Sequence, residues 1–234
     1  MASYLIEFRL RGFAKRYSQR LIQEIVRKFR VKGMKDKVSH ITLYGSFTTN
    51  NEKKMVSEVL TLCRKYDRIY FSIKGINYFD NFSNKVIYLD ITPSEEFKRF
   101  RFELASKLRG ITSTSSKEDS KNKEDFKFHS TIAFKDIDSK LRQILNHLKN
   151  KKHPNMRQTL LRVTILKNGR ILNEYDFLQK QLLNRKQSLN RQIWKRTILI
   201  LKQKSPLQII KTKSTQTKQI SPWEKIKSFF KIKW

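Results

Sequence analysis

Apolar and polar positions alternate over residues 4–10. Tyr4, Ile6, Phe8 and Leu10 fall on one side and Leu5, Glu7 and Arg9 on the other, the period of a half-buried strand. Over residues 18–30 the period lengthens. Leu21, Ile22, Ile25, Val26 and Phe29 recur at helical spacing, with Ser18 placed as N-cap. A second helix is predicted from Asn50 or Asn51 to about residue 66, its inner face Met55, Val56, Val59, Leu60, Leu62 and Cys63. Strands follow over 68–78, interrupted at Gly75, and over 85–91, closed by Pro93. Ser94 opens a helix to about residue 108, with Glu95 and Glu96 in the first turn, where the helix dipole favours acids. Residues 110–125 are rich in Ser, Lys and Glu without apolar period, which predicts a mobile surface loop. Asp138 caps a helix through about residue 148, with Pro154 marking its end. Alternating runs at 159–166 and 170–175 then flank Asn168-Gly169, a strong short signal for a hairpin.

Two further strands carry the same unusual feature. His40 and Thr42 lie two apart in the apolar run 39–47, and His129 and Thr131 two apart in 128–134. Side chains two apart on a strand share a face, so each strand presents an imidazole beside a hydroxyl, with Tyr44 predicted on the face of His40 and Thr42. The order strand, helix, His-x-Thr strand, helix, hairpin occurs in both halves, which reads as an internal structural duplication. The fold class is therefore α+β: two similar lobes over residues 1–184, each an antiparallel sheet backed by helices, and an extension over 185–234.

The extension stands apart in charge. From Lys186 onward thirteen Lys and Arg face one acid, Glu224. Residues 191–201 have helix-compatible apolar positions and suit packing back on the core. Residues 206–219 read as a flexible linker, and 223–234 as an amphipathic basic segment suited to nucleic acid, an anionic membrane or a partner protein, with a plain disordered tail as the fourth reading. The whole chain has a net charge of +32, far beyond what solubility requires, which points to a polyanionic partner, nucleic acid first. The single cysteine, Cys63, lies on an apolar helix face and reads as core. The four histidines lack metal-ligand spacing, so no metal or other cofactor is expected. His147 and His153 read as solvated residues outside the chemistry. With no signal-like N-terminus and no apolar run long enough to span a bilayer, a soluble cytoplasmic protein is expected.

Paired histidines suit phosphodiester chemistry. Displacement at phosphorus needs a base for the attacking oxygen, an acid for the leaving oxygen and donors for the non-bridging oxygens. Two imidazoles with ordinary pKa near 6.5 supply the first two, and two threonine hydroxyls the third. The motifs His40-Ile41-Thr42-Leu43 and His129-Ser130-Thr131-Ile132-Ala133, about ninety residues apart, resemble the paired signature of the 2H phosphoesterase superfamily. They are most similar to its 2′-5′ RNA ligase and RNA 2′,3′-cyclic phosphodiesterase branch. The resemblance covers residues 1–183 and implies a two-lobed fold with a central cleft and metal-independent chemistry on 2′,3′-cyclic phosphate ends or 2′-5′ linkages of RNA. It implies His40 and His129 as catalytic residues and Thr42 and Thr131 as phosphate ligands, with acid and base roles left open. Tyr44 is a candidate substrate contact, and the loop ahead of His129 a segment able to fold over RNA. RNA is the expected partner and no stable protein partner is expected. Two other readings stand beside this one: a non-catalytic basic RNA-binding protein using the same cleft, and a cyclic phosphodiesterase for a small nucleotide.

Overall fold

The computed structural model describes residues 1–81, 84–114, 119, 125–151 and 154–203. The first strand, β1 (Tyr4–Arg9), keeps the expected alternation, with Tyr4, Ile6 and Phe8 buried. The helix after it, α1 (Gly12–Phe29), starts six residues before Ser18. Its first turn carries exposed Phe13 and basic side chains rather than an apolar stripe, so periodicity does not reveal it. Ser18 is not the cap. It is buried mid-helix, its hydroxyl 2.5 Å from that of Ser39, which ties the helix to the approach of β2 (His40–Thr48).

Helix α2 (Glu52–Arg64) is capped by Asn51, whose side chain accepts from the Lys54 amide at 2.9 Å. Met55, Val59, Leu62 and Cys63 form its buried face, and burial pushes the Cys63 thiol far up from its ordinary pKa. The hairpin β3 (Ile69–Asn81) and β4 (Asn84–Pro93) slips register between Ile73 and Ile76, where Gly75 adopts φ 92°. Helix α3 (Glu95–Arg109) is capped by Ser94, and β5 (Ser113–Thr114) and β6 (His129–Phe134) follow. Asp138 begins a short 3-10 turn rather than capping, and α4 (Leu141–Lys149) continues from it. The chain then runs through β7 (Asn155–Leu160), β8 (Arg162–Lys167), β9 (Arg170–Asp176), β10 (Gln181–Asn184), α5 (Arg185–Leu189) and α6 (Arg191–Gln203).

Two antiparallel sheets result, ordered β10-β9-β8-β1-β2-β5 and β6-β4-β3-β7. In each, the His-x-Thr strand pairs with the strand that precedes it across a helix: β2 with β1, and β6 with β4. The halves exchange their hairpins. The hairpin β3–β4 from the first half sits in the second sheet, and β8–β9 from the second half sits in the first. The apolar run at 159–166, expected as one strand, is divided for this reason. Leu160 ends β7 in one sheet and Arg162 begins β8 in the other, with Leu161 buried between them. Asn168 (φ 50°) and Gly169 (φ 74°) make the expected two-residue turn, in which both positions need positive φ. Helix α3 packs against β2, β3 and β4, bridging both sheets, and α1 packs against β6. One apolar core fills the faces these helices cover.

The extension does not begin as an appendage. Asn184 caps α5 in a reciprocal box with Gln187, and α6 docks on the first sheet through Thr197, which is buried. The expected linker and terminal basic segment lie outside the described residues. Among the described residues no helix is long and apolar enough to cross a membrane.

Candidate active site

Both His-x-Thr strands contain the same irregularity. In β2, Thr42 lies opposite Glu7 but Tyr44 lies opposite Ile6, so one extra residue, Leu43, is inserted. In β6, Thr131 lies opposite Tyr88 but Ala133 lies opposite Ile87, so Ile132 is inserted. Each bulge falls one residue after the threonine. A bulge changes which face the following side chains take, so His and Thr share one face while the strand beyond turns inward. All four motif side chains are half-buried, and Ile41, Leu43, Ser130 and Ile132 between and after them are buried.

Tyr44 is the casualty of the bulge. Expected on the face of His40 and Thr42, it is 0% exposed. It sits edge-on to Phe47, and its hydroxyl pairs with Thr112 Oγ1 at 2.8 Å. Burial raises the pKa of that hydroxyl. A buried ring cannot stack on a substrate, so the candidate contact is withdrawn.

The two imidazoles are held alike. His40 Nδ1 lies 2.8 Å from the Val38 carbonyl and His129 Nδ1 lies 2.9 Å from the Lys127 carbonyl, in each case two residues back. A carbonyl only accepts, so Nδ1 carries the proton in both rings and proton exchange falls to Nε2. A cleft of about 650 Å³ opens between the sheets, lined by His40, Glu7 and Arg9 from the first and Thr131, Val86 and Phe134 from the second. One motif residue from each sheet thus borders the same space.

Behind the rings the two halves differ. Glu7 is buried, takes Arg9 Nε at 2.6 Å and places its other oxygen 3.6 Å from His40 Nδ1. His129 instead meets the rings of Phe79 and Tyr88 at 5.1 and 5.4 Å, both edge-on. Tyr88 is buried, which raises its hydroxyl pKa, with Asp90 adding to the effect. Asp90, opposite His129, pairs with Lys127 at 2.9 Å. Sequence reasoning missed these residues as site residues. The signal for Glu7 and Arg9 was two charges at i and i+2 within an apolar strand. Phe79 and Tyr88 become visible only once hairpin register is known.

The cleft wall from Met34 to Val38 is pinned at its base. Asp136 accepts from the Lys32 and Gly33 amides at 2.5 and 3.1 Å, which holds its carboxyl below the usual range. A Cβ at Gly33 would lie 2.1 Å from the Phe134 carbonyl oxygen. Gly33→Ala is therefore expected to cost about 1–3 kcal/mol through overpacking and to lower kcat/KM by moving that wall. Thermal unfolding and steady-state kinetics check this, and an unchanged unfolding midpoint would mean the loop yields freely.

The Ser-, Lys- and Glu-rich stretch is anchored where it is described. Ser113 and Thr114 pair with β2 as β5. Asp119, expected in a mobile loop, is buried, paired with Arg101 at 3.0 Å and bonded to the Gly45 amide at 3.1 Å. Arg101 in turn lies 3.7 Å from the Phe126 ring centroid. His147, expected in solvent, bridges Glu24 at 2.7 Å and Lys28 at 2.9 Å between α4 and α1. His153 lies outside the described residues. Among the described residues no group of three His, Cys, Asp or Glu could hold a metal.

A model of the 2′-5′ RNA ligase superfamily matches residues 14–170. No curated protein matches the chain. Among solved structures, Kluyveromyces marxianus Usb1 is 13% identical, aligned over 78% of this chain and 97% of its own, with a TM-score of 0.43. The same protein with uridine monophosphate gives 13%, 78%, 97% and 0.44. A phosphoesterase gives 12%, 77%, 92% and 0.39.

Proposed function

This chain belongs to the 2′-5′ RNA ligase superfamily of 2H phosphoesterases, and on that premise we propose that it opens RNA 2′,3′-cyclic phosphate ends to 2′-phosphates without a metal. The observation that carries this reading is the pair of equivalent His-x-Thr bulges, with His40 of one and Thr131 of the other bordering one cleft. Water attacks phosphorus opposite O3′ and gives its proton to Nε2 of one histidine. The P–O3′ bond breaks, and the other histidine donates a proton to O3′, leaving a 3′-hydroxyl and a 2′-phosphate. Thr42 and Thr131 donate to the non-bridging oxygens as charge builds on them. With a 5′-hydroxyl in place of water as the attacking group, the same step joins a 2′-5′ linkage, and its reverse, in which O3′ attacks phosphorus and the 5′-oxygen leaves with a proton, cleaves one. The net charge of +32 supports a polymeric substrate over a free nucleotide.

The test is incubation of purified protein with RNA ending in a 2′,3′-cyclic phosphate, in EDTA and without it, followed by phosphorus NMR of the ends. Equal rates and 2′-phosphate products are expected. Intact cyclic ends, 3′-phosphate products or a rate abolished by EDTA would each overturn the reading.

A further inference from the structure

The face of the first sheet that carries His40 and Thr42 continues well beyond the cleft. Thr42 lies opposite Glu7, Glu7 opposite Thr164, and Thr164 opposite Glu174; Arg162 lies opposite Asp176 in the next row. Direct partners in a sheet point the same way, so these polar residues form one surface from β2 across β1 and β8 to β9. The β2–β1 part borders the cleft. The β8–β9 part is covered by α6, whose Thr197 accepts from Arg162 Nη2 at 3.0 Å and donates to Asp176 at 2.5 Å. Trp194 of α6 meets both Arg11 and Arg162, their guanidinium carbons 4.9 and 5.0 Å from its ring centroid. Strands are spaced about 4.8 Å apart, so of the two strands under α6, β8 lies about 10 Å and β9 about 14 Å from the strand of His40.

Helix α6 is seated on the same sheet that carries His40, and it carries charge of one sign. Arg191, Lys195, Arg196 and Lys202 are exposed, the helix contains no acid, and among the described residues none of the four pairs with a carboxylate. Arg191, Lys195 and Lys202, at i, i+4 and i+11, form one stripe along it. The uncompensated charge complements a phosphate backbone.

We propose that α6 is a wall that binds the backbone of single-stranded RNA, its stripe contacting phosphates of nucleotides outside the cleft. This rests on the function proposed above. It is tested on the full chain with a labelled 12-nucleotide RNA bearing an ordinary 3′-hydroxyl, which is bound without being consumed. The triple variant Arg191→Ala, Lys195→Ala, Lys202→Ala is expected to lose about ten- to fiftyfold in affinity near physiological salt. Its log–log salt slope should become shallower by about 2, from roughly 0.7 per phosphate on a single strand. The control triple Lys53→Ala, Lys54→Ala, Lys65→Ala, on α2 and at its C-cap, with the same change in net charge, is expected to bind as wild type. The conservative triple Arg191→Lys, Lys195→Arg, Lys202→Arg should keep affinity. Turnover of 2′,3′-cyclic CMP, too small to reach α6, should be unchanged in all three.

Equal losses in the two alanine triples would make the effect one of diffuse charge and overturn the proposal, as would unchanged affinity in the α6 triple. Loss of binding to phosphatidylserine vesicles with RNA binding intact would assign the helix to a membrane surface instead. Absence of cyclic CMP and RNA turnover in the wild type would sink the proposed function, while the binding comparison still decides the role of α6.

Discussion

His40→Ala and His129→Ala are each expected to cut turnover of cyclic-phosphate RNA by about 10²–10⁴-fold, the usual share of general acid–base catalysis. Each ring has Nδ1 committed to a backbone carbonyl, so alanine removes the proton-transfer group and little of the scaffold. In the proposed mechanism the two act in one step, on the entering and the leaving oxygen. The double variant should therefore fall little further than either single one, since groups that work as a unit are strongly non-additive. Thr42→Val and Thr131→Val should each cost about 10²–10³-fold, the measured scale for one donor to a developing oxyanion. Affinity for a 3′-hydroxyl RNA should hold in all of them, because charge and not the imidazoles supplies most of it. With one ring acting neutral and the other protonated, the wild-type rate should fall on both sides of its optimum. Each single histidine variant should lose the limb its ring supplies. Steady-state rates across pH with matched binding assays decide the matter. Full activity in either alanine variant would remove that residue from the mechanism.

What the amino-acid pattern revealed and what it concealed divide along a physical line. The motif pairs, the caps at Asn51 and Ser94 and the Asn168-Gly169 turn depend on residues adjacent in sequence, and local chemistry was enough to place them. The bulges at Leu43 and Ile132 depend on the partner strand. Strict alternation therefore carried Tyr44 to the wrong face, although the same rule placed His40 with Thr42 correctly two residues earlier. The division of 159–166 at Leu161 is also tertiary: both pieces read as strand, and only the exchange of hairpins between sheets separates them. Asp119 was hidden for a third reason. A single buried carboxylate with its guanidinium partner eighteen residues away leaves no period, so a polar stretch with one anchor reads the same as a stretch with none.

The cluster beneath α6 sets the second large effect. Arg162 is 2% exposed and Glu174 and Asp176 are 0% exposed, and one guanidinium joins them, with Nε 2.8 Å from Asp176 and Nη1 3.2 Å from Glu174. Arg162→Met preserves bulk but leaves two buried carboxylates two residues apart on the same face of β9. Arg11, 3.3 Å from Glu174, and the amides of Leu178 and Gln179 on Asp176 compensate in part. Removing one partner of a buried ion pair costs about 3–5 kcal/mol, a sizeable share of the 5–15 kcal/mol that holds a typical domain together. A fall in the unfolding midpoint of about 6–20 °C is expected for a chain of this size. Thr197→Val removes only the hydroxyl that joins α6 to the cluster, at about 1–3 kcal/mol. Its effect should be local, with α6 released to trypsin at Arg191 and Lys195 while the sheet melts almost as before. A midpoint in Arg162→Met within a degree or two of wild type would mean that Arg11 and the Asp176 donors suffice. The ion cluster would then serve to seat α6 on the first sheet rather than to stabilise the fold.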